Sequence, residues 1–307
     1  VYALFGMLAA TLAAAIPLGS GADRWRLGAS CASAAFTAAL TLPLFAHWTF
    51  NGGWLAQLGL VDSGGAGAIH ATGGMTALAI AWILGPRRGK YNRDGMPVAI
   101  PGHNAVFVLL GCFLAWIGFL GLNAGGAPEL AALNTTLSAA AAALTAAAIT
   151  RARFRKPDAS LCANGWVAGL VSASAGCGAM RPAAAVLAGA IGGALAIYSV
   201  EWLELHLSVD DPGGAISVHG VGGIWSLIAA GLLIAEPKPW QWAIQLIGVA
   251  TILGCVLPMT YGLNLLLNRF YRLRVAPEAE RQGLDLHELG AGAYPDFMTH
   301  QDDAWMR

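Results

Sequence analysis

The sequence predicts an all-α, polytopic membrane helix bundle built on an inverted internal repeat, and three observations predict it. Of 307 residues, 57% are hydrophobic and only 11% charged, against roughly 25% charged in soluble domains. Nine stretches reach or approach the ~20 apolar residues that a hydrocarbon core of ~30 Å demands of a helix. A thirteen-residue phrase occurs twice, as DSGGAGAIHATGG at 62–74 and DPGGAISVHGVGG at 211–223. Both copies fit D-x-G-G-A-x-x-[I/V]-H-x-x-G-G without a gap, and distant self-similarity of this kind marks internal structural repeats.

In chain order the apolar segments are 1–19, 28–48, 66–85, 100–122, 130–150, 161–178, 183–205, 217–235 and 240–267. The sixth is short and glycine-rich. The chain opens at Val1 already inside an apolar run, which reads as a missing true N-terminus, and no signal-peptide n-region precedes it. The 40 glycines and the abundance of alanine predict helices packed backbone to backbone, because small side chains allow close approach where no hydrophobic effect drives association. Residues 1–268 therefore read as the transmembrane domain and 269–307 as a water-soluble tail. Five cysteines stand singly with no C-x-x-C, so they read as small buried hydrophobes. A formal net charge of zero gives no sign of a nucleic-acid partner.

Lys and Arg gather in alternate joints: Arg24 and Arg26; Arg87, Arg88, Lys90 and Arg93; Arg151, Arg153, Arg155 and Lys156; then Arg269, Arg272 and Arg274 in the tail. The intervening joints carry only Arg181 and Lys238. Short cytoplasmic loops hold the excess of positive charge, so the odd joints and the tail are expected in the cytoplasm. The acidic seventh joint takes its side from the alternation. Glu201 and Glu204, near a cytoplasmic helix end, read as solvated. His47 and Trp48 read as part of an interfacial aromatic belt, and His103 as a capping or loop contact. The Arg151–Lys156 joint also offers a contact for anionic lipid or a partner.

This count gives the repeat a geometry. His70 lies on the third segment and His219 on the eighth, so the two helices run in opposite directions. Each Asp stands eight residues before its His, a helical rise of about 12 Å, which brings both histidines toward the midplane. Asp62 and Asp211 read first as helix-entrance caps. Gly73, Gly74, Gly222 and Gly223 read as room for a neighbouring helix. An ionisable side chain within a membrane helix is costly and lines a cavity or pathway, and histidine exchanges protons near neutrality. A facing pair is therefore a candidate proton relay. A zinc site lacks its four-ligand Cys/His set, and no nucleophile–base set or cofactor motif points to an enzyme.

These residues carry a family resemblance. GADRWRLG is similar to GAxAERxRF of the ammonium transporter (Amt, Mep and Rh) family, and AHWTFNGGWLAQLGLVDSGGAGAIHATGG to its AHWxWGGGxLxxxGxxDFAGGxVVHxxxG. PGHNAVFVLLGCFLAWIGFLGLNAGG resembles the PHNxP to GWFGFNAGS stretch, and CANGWVAGLVSASAGCG, DDPGGAISVHGVGG and LRVAPEAERQGLDL with GAGAY complete the series. The resemblance covers nearly the whole chain and implies the ammonium-transporter fold, with the nine segments standing for helices three to eleven of eleven. It further implies a homotrimer in the inner (plasma) membrane, an outer recruitment site for ammonium or its analogue methylammonium, and an apolar pore lined by twin histidines, here His70 and His219. Recruited ammonium loses its proton there because the lumen solvates no charge. A PII-type regulatory protein is the partner that the resemblance implies on the cytoplasmic side, and an ammonium sensor or an Rh-like ammonia channel is the alternative function.

The chain departs from the family pattern in the outer vestibule. The recruitment aromatic, Trp in bacterial and plant members, is Phe50, a weaker cation–π partner. The serine that hydrogen-bonds the cation aligns with Gly126, and Asp62 matches the acid that supports the site. The two gate phenylalanines align with Ala9 and Leu122, with Phe5 one turn before Ala9. Gly214 replaces the second Asp of DDPxDxF, and Leu289 replaces a tail histidine.

Overall fold

The computed structural model describes residues 2–50, 52–125, 127–290 and 292. All nine expected segments are helices, and no β-strand occurs among the described residues. Helix α1 is Tyr2–Gly21. Helix α2 runs as Leu27–Phe36, a π-helical turn Thr37–Thr41 and Leu42–Phe50. A short α3, Trp54–Leu58, follows. Then come α4 (Ala66–Leu84), α5 (Ala105–Leu122), α6 (Pro128–Phe154), α7 (Ala159–Ser174), α8 (Pro182–Leu207), α9 (Ile216–Leu233) and α10 (Gln241–Phe270). Two short tail helices, α11 (Pro277–Gln282) and α12 (Leu284–Leu289), close the described chain.

Local chemistry explains several boundaries. The fourth segment starts at Ala105 and not near 100, because the Asn104 side chain accepts hydrogen bonds from the N–H groups of Val106 and Phe107. Asp158 does the same for Leu161 at the start of α7. Pro128 and Pro182 occupy the first turns of α6 and α8, where a missing N–H costs nothing. Helix α6 extends past 150 through Arg151 and Arg153, whose charges suit the negative end of the helix dipole. Among the described residues, eight of these nine helices are long and apolar enough to cross a membrane; the sixth, α7, has 16 residues. Helix α10 continues to Phe270, so the boundary expected at 268 falls inside it.

The alternation of joints is visible in the contacts. At one end, the joint after α1 meets those after α4 and α8 and the tail: Arg24 donates to the carbonyls of Gly85 and Asp210, and Val275 N–H donates to Arg24 O. At the other end, Ser63 and Gly64 donate to Ala175 O and Ser174 O, and Gln241 donates to Gly59 O. Glu201 and Glu204, read from sequence as solvated, are ion-paired to Arg153 and Lys90.

Two helices form the centre. In α4, 83% of the span is buried and in α9 61%, whereas α5 buries only 11% of its own. The central pair is where the repeated phrase lies.

Candidate functional site

Each copy of the phrase begins with a turn and not with a helix. Asp62 Oδ2 accepts from the N–H groups of Gly67 (3.1 Å) and Ala68 (2.9 Å). Asp211 Oδ2 accepts from Ile216 (2.7 Å) and Ser217 (3.4 Å). The spacing between copies is the 149 residues that separate His70 from His219, so the two sets of bonds are equivalent. These donors are the free N–H groups of a helix start, and both aspartates therefore cap. Burial pushes both carboxyls up to about 6, against the pull of those N–H donors. Gly65 and Gly214 close the turns at φ 75° and 65°, a conformation that favours glycine. That geometry accounts for Gly214, and any Cβ there would also meet the Asn164 side chain at 2.6 Å. The eight-residue helical rise expected from Asp to His is corrected: helix α4 starts only at Ala66, and its first turn is π-helical, Ala66–Ala71. Its repeat partner is the π turn Ile216–Val221 at the start of α9. Such turns recur at functional sites.

The two π turns carry the histidines together. His70 Nδ1 and His219 Nδ1 are 3.2 Å apart, and the rings stack with centroids 5.2 Å apart and planes 20° apart. His70 is fully buried, and its Nε2 has no hydrogen-bond partner among the described residues. With one ring nitrogen protonated and the other not, the pair makes an N–H···N bond and can exchange the proton along it. The crossing of α4 and α9 sets this distance. A Cβ on Gly74 would overlap the backbone of Gly220, and one on Gly223 would meet Ala66 O at 2.6 Å and Ala71 N at 2.7 Å. Gly74 with Gly220 and Gly223 with Ala71 are the same contact seen from the two copies, so the helices cross antiparallel about a local pseudo-two-fold. Gly73 faces α1, where a Cβ would meet Ile16 at 2.7 Å; Gly222 has ordinary room, with Val171 at 3.5 Å.

The sequence reading missed Phe119. Its ring lies parallel to His70, with centroids 5.0 Å apart and planes 6° apart. Ala9 and Leu122 pack in one apolar cluster with Ile69. Both line an apolar cleft of about 500 Å³ between α1 and α5, which Phe5 and Phe119 also line. Phe50 ends α2 with 46% of its surface exposed, near the aromatic run Phe45, Trp48 and Trp54. Gly126 lies outside the described residues.

The profile described as the Ammonium Transporter Family matches residues 1–294. The chain belongs to that family. It is 40% identical over 333 residues to ammonium transporter Amt2 of Archaeoglobus fulgidus, covering 97% of this chain and 71% of that one. It is 32% identical to the ammonium transporter of Bacillus subtilis, covering 97% and 76%. It is also 32% identical to putative ammonium transporter sll0537 of Synechocystis, of which it spans 58%. Among solved structures, a protein titled "Sensor Amt Protein" superposes with a TM-score of 0.89 at 34% identity, covering 92% of this chain and 75% of that one. Mep2 of Saccharomyces cerevisiae superposes at 0.81 with 29% identity, covering 88% and 66%. The Archaeoglobus fulgidus and Bacillus subtilis relatives are both named as ammonium transporters.

In this member of the ammonium transporter family, a second buried polar cluster holds the tail end of the bundle. Arg24 is fully buried and donates to three carbonyls, Gly85 O (2.7 Å), Ala22 O (3.1 Å) and Asp210 O (2.9 Å). Arg87 grips the Asp210 carboxylate with Nε (2.8 Å), Nη2 (3.0 Å) and its own backbone N–H (2.9 Å). Burial opposes ionisation of Asp210, but the Arg87 bonds outweigh it and hold the carboxyl below its ordinary value. Glu280 of α11 joins through Arg274 and the N–H of Arg88. The basic joints were visible in the sequence as a charge count; the three-carbonyl seat of Arg24 was not.

Proposed function

We propose that the chain carries ammonium across the membrane as ammonia, through an apolar pore whose centre is the His70–His219 pair. The observation that supports it is the 3.2 Å Nδ1···Nδ1 approach of two histidines on the two central helices of an ammonium transporter family fold. A cation recruited at the outer face, near Phe50, Asp62 and Gly126, gives up its proton on entering a lumen that cannot solvate charge. The bonded imidazoles offer a route for that proton, and His70 Nε2, unpartnered within the described protein, is the next station. Asp62 keeps the turn before His70 in place through its caps. The working unit in this reading is a homotrimer in the plasma membrane, with the tail in the cytoplasm beside the basic joints and open to a PII-type protein.

The test is flux. Ammonium-driven current, or uptake of labelled methylammonium into liposomes, should fall strongly in His70→Ala, His219→Ala and the double variant; undiminished flux would sink the relay.

A second reading, an ammonium sensor, has its own support in the 0.89 superposition on the protein titled "Sensor Amt Protein". Saturable ammonium binding by the intact chain in lipid nanodiscs, with no flux in liposomes, would favour it.

A further inference from the structure

Both positions at which the family resemblance puts gate phenylalanines lack an aromatic ring here, Ala9 and Leu122, yet His70 is not open to the cleft that these residues line. His70 is fully buried and takes no part in the cleft wall. Between them stands Phe119, 5% exposed, which lines the cleft while its ring lies flat on His70. Three rings follow one another, Phe119, His70 and His219, with successive centroids 5.0 and 5.2 Å apart. Small residues surround the phenyl group on its own helix: Ala115, Gly118 and Gly121 line the same cleft, and a Cβ on Gly118 or Gly121 would meet nothing within 4 Å. No other aromatic ring is stacked on His70 from that side among the described residues.

We infer that Phe119 is the gate of this pathway and the residue that positions the His70 ring, taking over from the two missing phenylalanines one step deeper. This rests on the twin-histidine reading of the site. As a gate, the phenyl group is an apolar plug that a hydrated cation cannot pass without shedding its water. As a positioning residue, it holds the imidazole plane by offset stacking, a geometry that aromatic pairs prefer, and so keeps Nδ1 aimed at His219. A change at Phe119 therefore acts on access and on ring orientation together, whereas a change at Ala9 or Leu122 alters only the cleft.

The test separates access from transport. In the full chain in lipid nanodiscs, His70→Cys is treated with methanethiosulfonate ethylammonium, and labelling of the peptide that contains position 70 is followed by mass spectrometry, alone and with Phe119→Ala, Phe119→Leu or Phe119→Trp. Phe119→Ala should raise the labelling rate at least about tenfold, the factor that 1.4 kcal/mol of barrier represents, Phe119→Leu less, and Phe119→Trp should restore the slow rate. Equal rates across the four proteins, each monodisperse by size exclusion, overturn the gate. In parallel, Phe119→Leu with both histidines intact should lower ammonium-over-potassium selectivity in liposome flux, and unchanged selectivity counts against the gate. If flux in the otherwise native chain does not depend on His70 and His219, the transport reading fails, and the labelling rates still decide whether Phe119 closes the cleft.

Discussion

Alanine at each of the four glycines that end the two copies of the phrase, Gly73, Gly74, Gly222 and Gly223, gives a series whose order follows from the helix crossing. In a helix interior Gly→Ala ordinarily stabilises, by about 0.5–1 kcal/mol. At Gly223 the new methyl would stand 2.6 Å from Ala66 O and 2.7 Å from Ala71 N, against an ordinary carbon contact of about 3.5–4 Å. Relief requires α4 and α9 to part by about 1 Å, since the obstructing atoms are backbone and cannot rotate away; overpacking of this kind costs about 1–3 kcal/mol. The same displacement acts on the dyad. Its 3.2 Å separation is already at the long edge of hydrogen-bond range, so a further ångström breaks it. Gly74→Ala meets the backbone of Gly220 by the same pseudo-symmetry and should match Gly223→Ala. Gly73→Ala faces Ile16 Cδ1, which can turn, and Ala13 O at 2.9 Å, which cannot, so it should be intermediate. Gly222→Ala has Val171 at 3.5 Å and should be neutral or slightly stabilising. Thermal unfolding in detergent and liposome flux read the two consequences separately. A damaging Gly222→Ala, or a Gly74→Ala that melts and conducts like the parent, would refute the crossing geometry.

Two other variants test the ends of the bundle. Asp210→Ala strips Arg87 of its buried carboxylate partner, and loss of one member of such a pair costs about 3–5 kcal/mol; the melting temperature should fall accordingly, and an unchanged value would remove the cluster's structural role. Because the folded Asp210 carboxyl lies below its ordinary value, the stability it contributes is fully present at neutral pH and is lost as pH falls through that lower value, so Asp210→Asn should flatten this part of the acid-unfolding curve. At the opposite end, Phe50→Trp combined with Gly126→Ser should tighten apparent ammonium affinity in flux assays. The aromatic change alone is expected to contribute about two- to fivefold, from about 0.5–1 kcal/mol of cation–π attraction, and no change would show the vestibule alignment to be wrong.

Much of the architecture was legible because membrane insertion leaves a coarse record. Apolar length placed nine helices, the positions of Arg and Lys sorted their joints, and an ungapped phrase showed which two helices lie at the centre. The misplaced details are those that hydropathy does not register. A π turn changes the hydrogen-bond ladder without changing composition, so neither Ala66–Ala71 nor Ile216–Val221 could be told from an α-helical start. The turn between Asp62 and Gly65 had looked like the first helical residues, since Asp capping is compatible with both. Phe119 was one apolar residue among many on α5, and only its face-to-face position on His70, 49 residues away in sequence, distinguishes it. The ion partners of Glu201 and Glu204, Arg153 and Lys90, were hidden because they come from other joints; the Glu201 pair itself stays exposed to solvent, as read.

The symmetric caps and the asymmetric timing of their partners bear on how the chain is made. Asp62 and Asp211 satisfy helix starts five and six residues away, so each half of the repeat can close its own polar ends as soon as it leaves the ribosome. The histidines cannot. His219 follows His70 by 149 residues, about 7–30 s of synthesis at about 5–20 residues per second. For that interval α4 sits in the bilayer with an imidazole and two bare glycines waiting for α9, a nascent surface that a stalled ribosome would leave exposed to any helix able to reach it.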